Sequence, residues 1–329
     1  MSPLHYSLAL AATVLHSALV NAQQVCNNAE ALCDRTYDNV THLGAHDAAF
    51  VRDAGNAFTP AGNQFFNAST QLSYGVRLLS AQAHNADDGL HLCHTNCVLY
   101  DAGLLQDWLG EIKGWMDDNP NEVVSVLIVN SDDNDASTLG GIFNSSGITD
   151  YAYTPSTSTG PYQWPTLGDM ISSNKRLVAW VASLSDNSDA PFLLDEFSFI
   201  FENQYDVTDA SDFSCDANRP NTDTAGSLSK GLLPLMNHFL DDEEVFDIEV
   251  PSVENADNTN KDSGDTGNFG AAADACVGAY NRAPWGTLVD FANVGPAIDT
   301  VDRLNGVSES TTGRGALPTD VAGSMAAAV

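Results

Sequence analysis

Basic residues are scarce in this chain. Twelve Lys and Arg stand against 44 Asp and Glu in 329 residues, a formal net charge of −32 at pH 7. A surface so acidic repels the phosphates of nucleic acid and of anionic bilayers. That excludes a nucleic-acid partner and leaves at most transient contact with a membrane. Long apolar runs are missing too. The apolar stretch 8–15 is too short to span a bilayer, and no other stretch comes nearer. It lies ahead of Val20-Asn21-Ala22, a small-x-small site, so residues 1–22 read as a secretory leader. Internal repeats and linkers are absent as well. Residues 23–306 therefore read as one domain, followed by a small, polar tail at 307–329, too short and weak for a lipid-anchor signal.

What is present agrees with export. The cysteine count is six, an even number suited to an oxidising compartment. Three glycan sequons begin at Asn39, Asn67 and Asn144. Cys93 and Cys97 are close enough in sequence to bridge and to close a tight loop around His94. Cys26 with Cys33 would make a second local staple, leaving Cys215 with Cys276, although spacing does not prove connectivity. A metal site from Cys93, His94 and Cys97 is disfavoured, because exported thiolates oxidise and no further cysteine pair stands at ligand spacing. Neither a metal nor a cofactor is expected, and the oligomeric state stays open.

Strand-like apolar runs alternate with amphipathic helical stretches, the pattern of parallel α/β architecture. Strands are expected at 40–46, 76–84, 123–130, 176–183, 197–207, 235–240 and 287–294, and helices at 104–118, 166–174, 271–281 and 297–304. In the first helix Leu104, Leu105, Trp108, Leu109, Ile112, Trp115 and Met116 share one face, a core stripe, and Asn119-Pro120 ends it. Residues 131–161 and 241–268 read as loops rich in small, polar or acidic residues. The length suits a single irregular (β/α) barrel of the TIM type, with function on the loops at the carboxyl ends of the strands.

Two segments carry the chemistry: Thr41-His42-Leu43-Gly44-Ala45-His46-Asp47 and Leu90-His91-Leu92-Cys93-His94. Each delivers a histidine from a strand end into a loop. Strand alternation puts His42, Gly44 and His46 on one face, Ser80, Gln82 and His84 on another, and Val124, Val126, Ile128 and Asn130 on a third. The carboxyl ends would then gather His46, His84, His94 and Asn130 around one cavity. Two imidazoles so placed can serve as general base and general acid, and a disulfide-clamped loop would fix the direction of His94.

The ordered set Leu43-Gly44-Ala45-His46-Asp47, Tyr74-Gly75-Val76-Arg77-Leu78-Leu79, Leu92-Cys93-His94, Asp118-Asn119-Pro120-Asn121-Glu122-Val123-Val124, Phe201-Glu202-Asn203-Gln204, Asn237-His238-Phe239-Leu240 and Leu288-Val289-Asp290-Phe291 spans nearly the whole chain. It resembles the secreted fungal phosphatidylinositol-specific phospholipase C-like phosphodiesterases of the X-domain type. The resemblance implies an irregular barrel and cleavage of a phosphodiester in a lipid head group or another small molecule. It makes His46 the base that deprotonates an attacking hydroxyl and His94 the acid that protonates the leaving oxygen. Asp290 would orient the base and Asp47 would support the acid. Gln82, His84, Asn130, Glu202 and Asn237 would contact substrate.

One departure from that family stands out. Its metal-dependent branch holds calcium on acidic residues of the second and third strands, which fall here at Ser80, Gln82 and Ile128. A hydroxyl, an amide and an alkyl group do not hold a hard divalent cation. Its metal-free branch carries an arginine that falls at Gln82, where an amide supplies no charge. Arg77 should face away from the mouth, which leaves His84 or Lys175 as substitutes. Two other readings follow: a weakened or inactive barrel that binds a phosphorylated or sugar ligand, and a metal-dependent glycerophosphodiesterase.

Overall fold

The computed structural model describes residues 24–160, 162–243, 249–308 and 311–319. The predicted leader and the last residues of the predicted tail lie outside them. The described residues form twelve strands: β1 His42–Ala45, β2 Leu78–Ala86, β3 Gly89–His94, β4 Tyr100–Leu104, β5 Val124–Asn130, β6 Leu177–Ala182, β7 Leu193–Asp195, β8 Ile200–Glu202, β9 Leu233–Asn237, β10 Asp241–Glu243, β11 Glu249–Pro251 and β12 Gly286–Val289. Eight of them make a parallel sheet in the order β7-β6-β5-β2-β1-β12-β9-β8. The sheet curls into a barrel left open between β7 and β8, which the short helix Glu196–Phe199 connects. β3 extends it antiparallel to β2 and β4 antiparallel to β3, and the β2–β3 hairpin brings His94 back to the rim.

Parallel strands buried on both faces read as continuous apolar runs, so the chain carries little facing signal there. That is why the inward face of β5 differs from expectation. Its register pairs Leu78 with Ser125, Ser80 with Leu127 and Gln82 with Val129. Ser125, Leu127 and Val129 therefore face the barrel interior. Val124, Val126 and Ile128 pack in the layer between sheet and helices. The interior below the mouth is filled by Tyr37, Trp164, Trp180 and Trp285, whose ring centroids lie 4.8 to 5.7 Å apart in contacting pairs. This aromatic plug confines the polar inner surface to the carboxyl ends of the strands.

Helix Leu105–Asp118 buries Leu105, Trp108, Leu109, Ile112 and Met116 as the periodicity predicts. Trp115 stays at the edge and donates to the Ser73 hydroxyl. The stretch 131–161 is not a plain loop. It holds helix Ala136–Ser146, capped by the Asp135 carboxylate and buried through Ala136, Leu139, Gly140 and Phe143. Its Ser, Thr and Gly content hid a narrow apolar face. The expected strand 197–207 shrinks to β8, because residues 196–199 form the helical turn at the barrel opening. Much of the predicted tail also packs on the barrel. Arg314 pairs with Asp302 at 2.6 Å, and the Gly315 amide donates to the Ser73 carbonyl.

Arg77 faces away from the mouth, as alternation predicts, and is buried against Glu122 with Nη2–Oε2 2.6 Å and Nε–Oε2 2.9 Å. Breaking such a pair strands an unpaired buried charge. Glu122→Gln is expected to lower stability by about 3–5 kcal/mol. Urea denaturation measures it, and a loss below ~1 kcal/mol would show that the guanidinium is satisfied without its partner.

Candidate active site

β1 and β12 pair in parallel up to Ala45 and Val289. The next residue on each strand, His46 and Asp290, therefore stands beside the other. His46 Nδ1 donates to Asp290 Oδ1 at 2.9 Å. Neighbouring amides hold both in place. Gln64 Nε2 donates to the carbonyls of His46 and Val289, Asn63 Nδ2 donates to Asp290 Oδ1 at 3.1 Å, and Asn260 Nδ2 donates to the Asp290 carbonyl. Phe239, just past β9, stacks flat on the imidazole with centroids 3.6 Å apart. With Nδ1 engaged, Nε2 is the atom left for chemistry.

That Nε2 faces Asp47 Oδ2 at 3.7 Å, and His94 Nε2 lies 3.9 Å from the same oxygen. Asp47 turns the chain with φ 45°, a left-handed conformation that a short polar side chain tolerates. Its amide donates to Ser80 Oγ at 2.9 Å. Gln82 Nε2 donates to Asp47 Oδ2 at 2.7 Å, while Gln82 Oε1 accepts from the Thr95 amide at 2.9 Å. One amide thus ties the first histidine segment to the second. His94 ends β3 inside the loop closed by the Cys93–Cys97 disulfide, its ring T-shaped to that of Phe50. Cys26–Cys33 and Cys215–Cys276 are the other disulfides.

The two imidazoles differ in charge. Burial opposes protonation of His46, but Asp47, Asp290 and Asp241 together outweigh it and raise its pKa to about 9. For His94 burial dominates, and Asp47 offsets it only in part, so its pKa falls below the ordinary value. At neutral pH the site therefore rests with one proton on the pair, held by His46. Asp241 is itself pushed up to about 8, first by burial and then by the charge of Asp290. Burial likewise raises Asp290, with His46 opposing.

Beside His46 opens a cavity of ≈ 260 Å³. Leu127, Val129, Ala182 and Leu288 line it with apolar surface, and Gln82, Glu202 and Asn237 with polar groups. His94 stands across Asp47 and is not part of this lining. Two residues expected at the cavity are elsewhere. His84 continues up the β2–β3 hairpin and faces Asp132 at 3.9 Å. Asn130, on the outward phase of β5, bonds the backbone of Asn134 and shapes its own loop. Lys175 is exposed and reaches the Asp150 carbonyl, so it supplies no charge to the mouth.

The guanidinium that lines the cavity belongs to Arg219, which sequence reasoning missed together with Glu196 and Tyr205. Arg219 Nη2 pairs with Glu202 Oε2 at 2.7 Å, and Asn237 Nδ2 donates to that oxygen at 2.8 Å. Arg219 lies in an irregular segment with no period to place it. The rarity of basic residues was the one signal that could have found it. Among the described residues no group of three or more His, Cys, Asp or Glu could hold a metal ion. The family's calcium positions hold Ser80 and Gln82, both already engaged, and the inward residues of β5 are Leu127 and Val129. This donor set does not fit calcium. The sequon residues Asn39, Asn67 and Asn144 are exposed.

Comparison with known proteins agrees with this fold. The family model described as PI-PLC X 1 matches residues 32–305. A protein of Arthroderma benhamiae named PI-PLC X domain-containing protein 1 is 38% identical over 301 residues, 91% of this chain and 95% of that one. A second protein of that organism, named an uncharacterized secreted protein, is 36% identical over 85% of this chain, which spans 62% of the relative's length. Among solved structures, the phosphatidylinositol-specific phospholipase C from Listeria monocytogenes superposes with a TM-score of 0.52 at 15% identity, covering 84% of this chain and 96% of that one. At that identity the likeness is one of fold.

Proposed function

This chain belongs to the PI-PLC X domain family, and from that premise we propose that it is a secreted phosphoric diester hydrolase that cleaves a lipid head-group phosphodiester by acid–base chemistry. The observation that carries the reading is the convergence of two imidazole Nε2 atoms on one carboxylate beside a cavity, one ring being fixed by Asp290. In the forward step a hydroxyl gives its proton to one imidazole while its oxygen attacks phosphorus. The bond to the leaving oxygen breaks, and the other imidazole protonates that oxygen. The family resemblance makes His46 the base and His94 the acid. The resting charges are the reverse, with His46 protonated and His94 neutral. Either arrangement is a singly protonated pair, and the pH dependence of the rate follows the population of that pair.

The expected pH profile of kcat/KM is a bell with an acid limb below 6.5 and an alkaline limb near 9. Asp290→Asn removes a charge that raises His46, so its alkaline limb should move to lower pH. A profile unchanged in that variant would separate Asp290 from the chemistry. The direct test of the reading is a panel of phosphodiesters run with wild type, with and without a chelator. Turnover that the chelator abolishes would favour the metal-dependent glycerophosphodiesterase instead.

The amide of Gln82 favours a second reading. Both its ends are spent on Asp47 and Thr95, and it carries no charge to meet the phosphoryl oxygens. A barrel that binds its ligand and turns it over weakly or not at all would show measurable ligand binding without products across the panel.

A further inference from the structure

A second hollow, a groove of ≈ 470 Å³, runs between β4, the turn Ala54–Asn56 and helix Leu105–Asp118, and shares no lining residue with the His46 cavity. Its lining carries Asp53, Asp101, Asp107 and Glu111 and no lysine or arginine, so it repels an anionic ligand. Those carboxylates do not converge as a metal set among the described residues. Asp53 spends Oδ1 on two backbone amides, and Glu111 spends Oε1 on the Ser69 amide. Asp53 Oδ2, Glu111 Oε2 and both oxygens of Asp107 are left without a donor among the described residues. Separate acceptors beside the apolar surface of Leu104 and Trp108 suit a polyhydroxyl ligand, whose hydroxyls donate and whose C–H faces pack. Trp108 is 8% exposed, and its Nε1 finds no acceptor among the described residues. The bare chain thus leaves a buried donor unserved at the groove.

One lining residue can bring such a ligand with it. Asn67 is exposed and opens the sequon Asn67-Ala68-Ser69. Its Oδ1 accepts from the Thr70 amide and hydroxyl, which holds the side chain at the start of helix Ala68–Ser73 and leaves Nδ2 for attachment. We propose that the groove seats the first sugars of an N-glycan on Asn67, and that this glycan braces β4 against helix Leu105–Asp118. Attachment joins Nδ2 to the anomeric carbon of a lipid diphosphate-linked oligosaccharide. The C–N bond forms, the C–O bond to the diphosphate breaks, and Nδ2 gives up one proton. A covalent tether at the rim makes the sugar's contacts with the groove intramolecular, so individually weak bonds suffice to hold it there. The brace backs on the candidate site through packing. The ring centroid of Tyr100, on the groove wall, lies 5.5 Å from that of Phe50, which lies 5.3 Å from that of His94.

The inference rests on the proposed secretion, because only an exported chain meets the glycan transferase, and it needs no turnover. Its test is the full chain expressed in a eukaryotic host as wild type, Ser69→Ala and Ser69→Thr. Ser69 is bonded only through its backbone, so alanine removes the sequon and no side-chain hydrogen bond, and threonine keeps the sequon. Peptide mass spectrometry is expected to find the Asn67 glycan on wild type and Ser69→Thr and to miss it on Ser69→Ala. Ser69→Ala should melt about 2–4 °C below the other two. Its backbone amides at 100–107 should exchange hydrogen at least about tenfold faster, with β5 and β6 unchanged. Secreted wild type with a bare Asn67 overturns the proposal alone. A chain kept inside the cell and bare at all three sequons overturns the secretion reading with it. Equal exchange at 100–107 in wild type and Ser69→Ala overturns it as well, even with a melting shift, since a glycan held in solvent would leave that groove wall unprotected.

Discussion

Replacing His94 by alanine is expected to lower kcat/KM on a cleaved phosphodiester by about 10²–10⁴-fold, and replacing His46 to do at least as much. The two variants should differ in stability. His94 is neutral at pH 7, packs against Phe50 and meets the Thr95 hydroxyl at 3.2 Å, so its removal costs that packing and one hydrogen bond. His46 carries the positive charge among Asp47, Asp290 and Asp241, and its ring covers Phe239. His46→Ala should therefore melt at lower temperature than His94→Ala while still unfolding cooperatively. His46→Gln keeps a donor toward Asp290 and serves as the matched control. Steady-state kinetics beside thermal melts at pH 7 would decide the matter. Normal turnover of a genuine substrate by either alanine variant would remove that histidine from the mechanism.

The second large effect concerns two histidines outside the site. His42 lies in the aromatic plug, with Nε2 on the Tyr37 carbonyl and Nδ1 unpartnered among the described residues. His238 packs between Phe213 and Phe269, with Nε2 on the Thr259 carbonyl. Burial lowers each pKa from 6.5 to about 4. A histidine with a lowered folded pKa adds no pH dependence above about 6.5. As pH falls from there to about 4 the unfolded chain takes up a proton that the folded chain refuses. Each ring should then cost about 3 kcal/mol of stability by pH 4.

His46 acts in a different window, since its raised pKa contributes stability below 6.5 that is lost as pH rises through 9. Asp241 and Asp290, raised by burial, oppose the acid loss, so the test must be a difference. His238→Gln should lose about 3 kcal/mol less than wild type between pH 7 and pH 4 in urea titrations. Equal losses in the two proteins would mean that the ring is protonated in the folded state.

The amino-acid sequence alone carried the barrel class, four helices close to their observed ends, and the two histidine segments with Asp290. These were legible because they rest on local rules. Helix faces repeat every 3.6 residues, strand runs end at turn residues, and His46 and His94 each stand at the end of an apolar run, while the family resemblance supplied Asp290. The sequence was weakest where both faces of a strand are buried, as in β5, and where small residues masked an apolar face, as in helix Ala136–Ser146.

The tertiary structure decided what surrounds the pair. Sheet register turned Leu127 and Val129 inward and left Asn130 to its own loop. The β2–β3 hairpin carried His84 away from the mouth and brought His94 to within 3.9 Å of Asp47. The open side of the barrel set Glu196 against Glu202, and an irregular segment returned Arg219 to them. Such contacts join residues 17 to 244 positions apart. No local period encodes them, because they follow from which strand ends the curled sheet places around one cavity.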